Sequence, residues 1–183
     1  MTPKPLSALV ALAALLGTGC SSLWHTEATG PAFAAGVYRL GGGAGLNFQD
    51  QEFNGADTDT LSVNADVGRF FTANLEGGVR GAYSSSETGT VETDEMDVAL
   101  FVRWYTETRQ SFRPWVEVGG GIASVDTGAL DLDGTILFFA LGLTHFLSQS
   151  VAGEVFARQS VGDFDDGVES DTLDLGVGFS FFW

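Results

Sequence analysis

Three glutamates, Glu76, Glu117 and Glu154, stand inside stretches that are otherwise apolar or rich in glycine. Carboxylates gathered from distant positions can work as a general acid and base. The same stretches also carry Arg39, Arg80, Arg103 and Arg158, with Asp66, Asp97 and Asp174, all on one parity of an alternating pattern. Four arginines against six carboxylates point to a different chemistry, an ion-pair network in which each fork-shaped guanidinium bridges several acids. No histidine, acid and hydroxyl or thiol fall into the pattern of an activated nucleophile.

The histidines are His25 and His145. His145 falls on the apolar parity near a strand end, where an imidazole facing lipid could serve an envelope-lipid-modifying enzyme. On a strand the same-face neighbour where a partner serine would stand is two residues on, and position 147 is leucine; Ser148, three residues on, points to the opposite face. His145 reads as an interfacial anchor, and His25 as part of a tether. "DLDG" at Asp131–Gly134 and "DFDDG" at Asp163–Gly167 place carboxylates at alternate positions beside glycine, which suits hard cations. Neither continues into a twelve-residue calcium loop with its closing glutamate, so solvated loop tips are the first reading and weak divalent binding the second. "GGGAG" at Gly41–Gly45 lies within a strand pattern and implies close packing, not a phosphate loop. No catalytic residue, cofactor site or metal site is assigned.

A period of two positions these residues. Eight strands are predicted at 36–48, 60–70, 74–84, 95–106, 112–124, 135–147, 151–161 and 171–183, each about 10 to 13 residues, the span of a tilted membrane-crossing strand. Short connections at 71–73, 107–111 and 148–150 alternate with long ones at 49–59, 85–94, 125–134 and 162–170. The long connections hold fourteen acids and no lysine or arginine. The pattern predicts an all-β, eight-stranded antiparallel up-and-down barrel with tight turns at one end and acidic loops at the other.

The two strand faces choose between solvents. One parity carries Leu40, Val63, Val79, Val98, Leu100, Val102, Val118, Leu137, Leu141 and Val155, with no acid or lysine; its basic groups, Arg69 and His145, fall near turn-side strand ends. The other parity holds the glycines and the charges. A soluble barrel would invert this arrangement, with the apolar set inside. The final residues, "LDLGVGFSFFW", put Phe179, Phe181 and Trp183 on the apolar parity, and such a strand needs both a pairing partner and an apolar cover. These features favour a transmembrane barrel, its lumen filled by a network of Arg39, Glu76, Arg80, Asp97, Arg103, Glu117, Glu154 and Arg158.

The net charge of −16, with Lys4 the only lysine, excludes a nucleic-acid-binding face. Residues 1–20 have a basic start, an apolar stretch from Leu6 to Leu16 and small residues thereafter, the layout of a secretory signal. Cys20 is the only cysteine, and "LLGTGC" resembles a bacterial lipoprotein processing site, although Gly17 stands where leucine is usual. Cleavage after Ala34 is the alternative. Residues 21–35 would form a periplasmic tether and 36–183 the barrel domain.

The signal segment, the eight amphipathic strands, "RPWVEVGGGIA" at Arg113–Ala123 and "GVGFSFFW" at Gly176–Trp183 together resemble the OmpA/OmpX-like small outer-membrane β-barrels over residues 35–183. The resemblance implies the outer membrane of a Gram-negative-type bacterium, a monomer bathed in outer-membrane lipid, and recognition of Phe179, Phe181 and Trp183 as an insertion signal by the barrel assembly machinery. Trp183 takes the place of the family's usual terminal phenylalanine. The expected role is non-enzymatic, in envelope structure or surface interaction; a narrow cation or small-solute channel is the alternative, and a lipid-modifying enzyme a more distant one.

Overall fold

The computed structural model describes residues 34–51, 58–88, 91–106, 112–128 and 131–183. Cys20, His25, the signal segment and most of the tether fall outside the described residues.

Alternation drives eight strands: β1 (Tyr38–Gln51), β2 (Thr58–Phe70), β3 (Leu75–Thr88), β4 (Val91–Tyr105), β5 (Phe112–Asp126), β6 (Asp131–Phe146), β7 (Val151–Phe164) and β8 (Val168–Phe182). Each pairs antiparallel with its neighbours in sequence, and β1 pairs with β8, so the sheet closes on itself and leaves no edge. Backbone bonds between Tyr38 and Trp183, 2.9 and 3.1 Å in the two directions, end the seam.

Turn chemistry differs at the two ends. After β2 and β6 the side-chain oxygens of Thr72 and Ser148 accept bonds from backbone amides two and three residues on, which fixes tight turns. At the hairpin end Gly128 and Gly167 adopt positive φ, 71° and 73°, and the Asp126 carboxylate accepts the Gly128 amide at 2.7 Å.

The alternation of connection lengths is corrected by the structure. Strands run two to four residues further at the hairpin end than expected, so the connection expected at 85–94 shrinks to 89–90, that at 125–134 to 127–130 and that at 162–170 to 165–167. Polar residues on both faces defeat a reading based on hydrophobic alternation, yet antiparallel pairing continues until a turn-forming residue ends it. The acids thus decorate strand extensions, with Asp94 opposite Asp126 and Asp126 opposite Asp131.

The apolar parity faces outward all round: Leu100 is 67%, Ile122 67% and Leu137 71% exposed. An apolar belt this continuous is incompatible with water and fits the hydrocarbon of a bilayer. Among the described residues no helix is long and apolar enough to cross a membrane; the strands provide the crossing.

Candidate functional site

The inward parity fills the barrel in three tiers. At the turn end Phe70, Tyr105, Trp115, Phe146 and Phe182 pack with Ala140 and Ala152 into an aromatic plug, with ring centroids 5.4 Å apart for Phe70 and Tyr105 and 5.3 Å for Phe146 and Phe182. Toward the hairpin end a second cluster of Ala99, Phe101, Ala123, Val125, Ile136, Phe138 and Phe164 lines one wall.

Between them lies an ionic tier to which every strand contributes. Arg39 on β1 donates from Nε to Glu76 at 2.8 Å, from Nη1 to the Ser180 hydroxyl at 3.0 Å, and from Nη2 to Asp66. Arg103 on β4 donates from Nε to Glu117 at 2.7 Å and from Nη1 to Glu154 at 3.3 Å, with Trp115 stacked 3.9 Å from its guanidinium carbon. Arg80 on β3 forks onto Glu117 and lies 3.6 Å from Asp66. Hydroxyls satisfy the remaining acceptors: Tyr105 donates to Glu76 at 2.8 Å, while Ser180 and Thr144 donate to Glu154 at 2.7 and 3.3 Å.

Charges so deeply placed are tolerable only when paired and hydrogen-bonded. The backbone makes room for them at Gly41 and Gly68, where a methyl group would overlap the Arg39–Asp66 pair and the Glu76 carboxylate respectively. A cavity of about 10 Å³ beside Asp66, Arg80, Arg103 and Glu154 is roughly one water in size.

The eight residues assigned to the lumen network, Arg39, Glu76, Arg80, Asp97, Arg103, Glu117, Glu154 and Arg158, divide unevenly once their contacts are drawn: six of them form the ionic tier, whereas Asp97 and Arg158 line a cavity of about 40 Å³ above it. Arg158 lies 3.8 Å from Asp174, whose other oxygen meets the Ser62 hydroxyl at 3.4 Å. The tier also includes Asp66, Tyr105, Thr144 and Ser180. Tyr105 shares the parity of Arg103, and Ser180 that of Asp174, so the alternation that placed the charges also carried the signal for these hydroxyls.

The remaining assigned residues lie on the outside. Phe179, Phe181 and Trp183 project from β8 with 59%, 50% and 64% exposure. Trp183 stacks on Tyr38 with centroids 6.1 Å apart, and Arg69 lies over the Tyr38 ring at 5.6 Å, forming a turn-end aromatic and basic patch. His145 is half-buried on β6 and stacks on Phe112 at 4.2 Å. The Ser148 hydroxyl is occupied in its turn. Asp131 and Asp133 are exposed on β6, and among the described residues no three acid, histidine or cysteine side chains are arranged to hold a metal ion.

No family model matches the chain, and no curated protein matches it in sequence. Its architecture is similar to that of solved outer-membrane barrels. Neisserial surface protein A superposes with a TM-score of 0.67 at 15% identity, over 80% of this chain and 98% of that one. The outer membrane protein OprG of Pseudomonas aeruginosa gives 0.56 at 12% identity, over 85% and 98%. The N-terminal β-barrel domain of OprF from the same organism gives 0.55 at 13%, over 81% and 98%. The shared feature is the fold, that of a small outer-membrane β-barrel.

Proposed function

We propose that this protein is a non-enzymatic outer-membrane barrel whose lumen is closed to ions, and that it serves envelope structure or interactions at the cell surface. The observation that carries the reading is the ionic tier, in which guanidinium groups from β1, β3 and β4 bridge carboxylates from β2, β3, β5 and β7 across the whole section of the barrel. Ions permeate where binding is weak and water is continuous; a section filled by mutually bonded side chains, above an aromatic plug, provides neither.

The apolar exterior supports residence in lipid as a monomer, and the acidic strand extensions would present an anionic surface outside the cell. The outward aromatics of β8 suit recognition by the barrel assembly machinery. Neither nucleic acid nor a cofactor belongs to this reading, and weak divalent binding at the acidic extensions remains secondary to solvation.

Single-channel recording of the detergent-folded protein in a planar bilayer tests the proposal, with a heat-shift gel on the same sample to verify a closed barrel. Heat-modifiable but electrically silent protein supports a closed lumen. Steady cation-selective openings would replace it with the channel reading.

A further inference from the structure

Arg39, Arg80, Arg103 and Arg158 point into the lumen, and each lies within 4.0 Å of a carboxylate. Arg69 is placed differently. It is exposed on the outer face of β2, where the apolar run of Leu61, Val63, Ala65 and Val67 ends, and among the described residues no carboxylate lies within 4.0 Å of it.

Register builds a cradle around this cation. Tyr38 stands opposite Arg69 across β1 and β2, and Trp183 is bonded to Tyr38 across the seam, so three strand ends bring Trp183, Tyr38 and Arg69 into one row. The guanidinium carbon lies 5.6 Å from the centre of the Tyr38 ring, which stacks in turn on Trp183. On the other side Gly77 of β3 stands opposite Arg69, and the Phe71 ring fills the outer space that a side chain at Gly77 would take. A fork of donors is thus set between aromatic walls where hydrocarbon gives way to headgroups.

The wall on the hydrocarbon side of Arg69 is hollowed. Two rows into the apolar belt Gly42, Ala65 and Gly81 lie side by side, and a methyl group at Gly42 or Gly81 would meet nothing closer than 3.4 or 3.7 Å. This shallow trough begins about 13 Å along the strand from Arg69, within the half-thickness of the hydrocarbon, roughly 15 Å, that an acyl chain traverses. The two rims differ in sign. At the hairpin end the outward Asp133, Asp163 and Asp171 are exposed, and Tyr83 donates to Asp94 at 2.8 Å, so an anionic headgroup is repelled there and attracted at Arg69. A zwitterionic headgroup would leave the cation without net compensation.

We propose that Arg69, Tyr38 and Phe71 form a headgroup site for one anionic glycerophospholipid in the leaflet at the turn end, its phosphate forked by the Arg69 guanidinium and an acyl chain laid in the trough of Gly42, Ala65 and Gly81. The inference goes beyond the closed-lumen reading and does not rest on it, because lipid retention is measured without current.

Native mass spectrometry of the detergent-folded full chain tests it, with phosphatidylglycerol, phosphatidylcholine and diacylglycerol of the same acyl chains. One phosphatidylglycerol is expected to be retained about fivefold more strongly than either other lipid, and Arg69→Gln to remove most of that preference. Gly81→Leu fills the trough and leaves the cation in place; it is expected to weaken phosphatidylglycerol about fourfold, the worth of one buried methylene, and it serves as the second variant if Arg69→Gln fails the heat-shift test of closure. Equal retention of the three lipids, or undiminished retention of phosphatidylglycerol in a closed Arg69→Gln or Gly81→Leu barrel, would overturn the proposal. Displacement of the lipid by equimolar inorganic phosphate would overturn it as well, since Arg69 would then hold a free ion and not a headgroup.

Discussion

Replacing Arg103 with alanine tests the ionic tier at its most connected cation. Arg103 is 1% exposed and bonded to Glu117, Glu154 and Tyr105, and its removal changes the tier from three guanidinium groups against four carboxylates to two against four. Glu117 retains Arg80, but Glu154 keeps only Arg39 at 3.7 Å as a charged partner, besides the Ser180 and Thr144 hydroxyls. Breaking a buried pair by deleting one member costs about 3–5 kcal/mol, and the surviving partners place this case near 3. The expected result is a matching loss in denaturant unfolding of the detergent-folded protein, followed by tryptophan fluorescence. Charge and packing can be separated: Arg103→Met with Glu154→Gln should recover much of what Arg103→Met alone loses, because the second change removes the stranded charge. Arg69→Ala, at an exposed site, should shift stability by no more than about 0.5 kcal/mol. If Arg103→Ala changed stability no more than Arg69→Ala does, the lumen would have to be hydrated and the tier reasoning would fail.

Trp183→Asp places a carboxylate at an outward, 64% exposed position of the last strand and is expected to abolish the heat-modifiable band in membrane fractions; normal assembly would show that this aromatic is not read during insertion. Leu100→Arg, at mid-height on the outer face of β4, should destabilise the barrel in lipid by about 2–4 kcal/mol, whereas Asp126→Arg in the strand extension should cost no more than about 1 kcal/mol. Equal effects at the two positions in vesicle-folded protein would contradict the assigned bilayer depth.

The parts of the fold legible in the sequence are those governed by the bilayer. Val98, Leu100 and Val102 announce a lipid-facing parity, and Asp97 and Arg103 on the same strand announce an inner one, because hydrocarbon rejects polar groups on one face only. Strand ends at the hairpin side were not legible: Glu92 and Asp94 read as loop, since polarity on both faces removes the alternation, although backbone pairing persists to Val91. The same effect hid Glu95, which shares the inward parity of Asp97 at an expected strand border and lines the cavity beside it. Parity assigned Asp97 and Arg158 to the interior, where they lie, but height along the barrel depends on stagger between strands. Only the register separates them from the tier below.

The wiring of Arg39 bears on how the barrel comes together. Its three nitrogens reach β2, β3 and β8, and Ser180 passes the connection on to Glu154 of β7. Strands remote in the chain must all arrive before these bonds can form. Until then the hairpins carry bare charges that water must solvate, and neutralisation comes only when the first and last strands meet. Arg39 and Ser180 thus act as a latch across the seam, one that favours all-or-none closure over a barrel standing partly open.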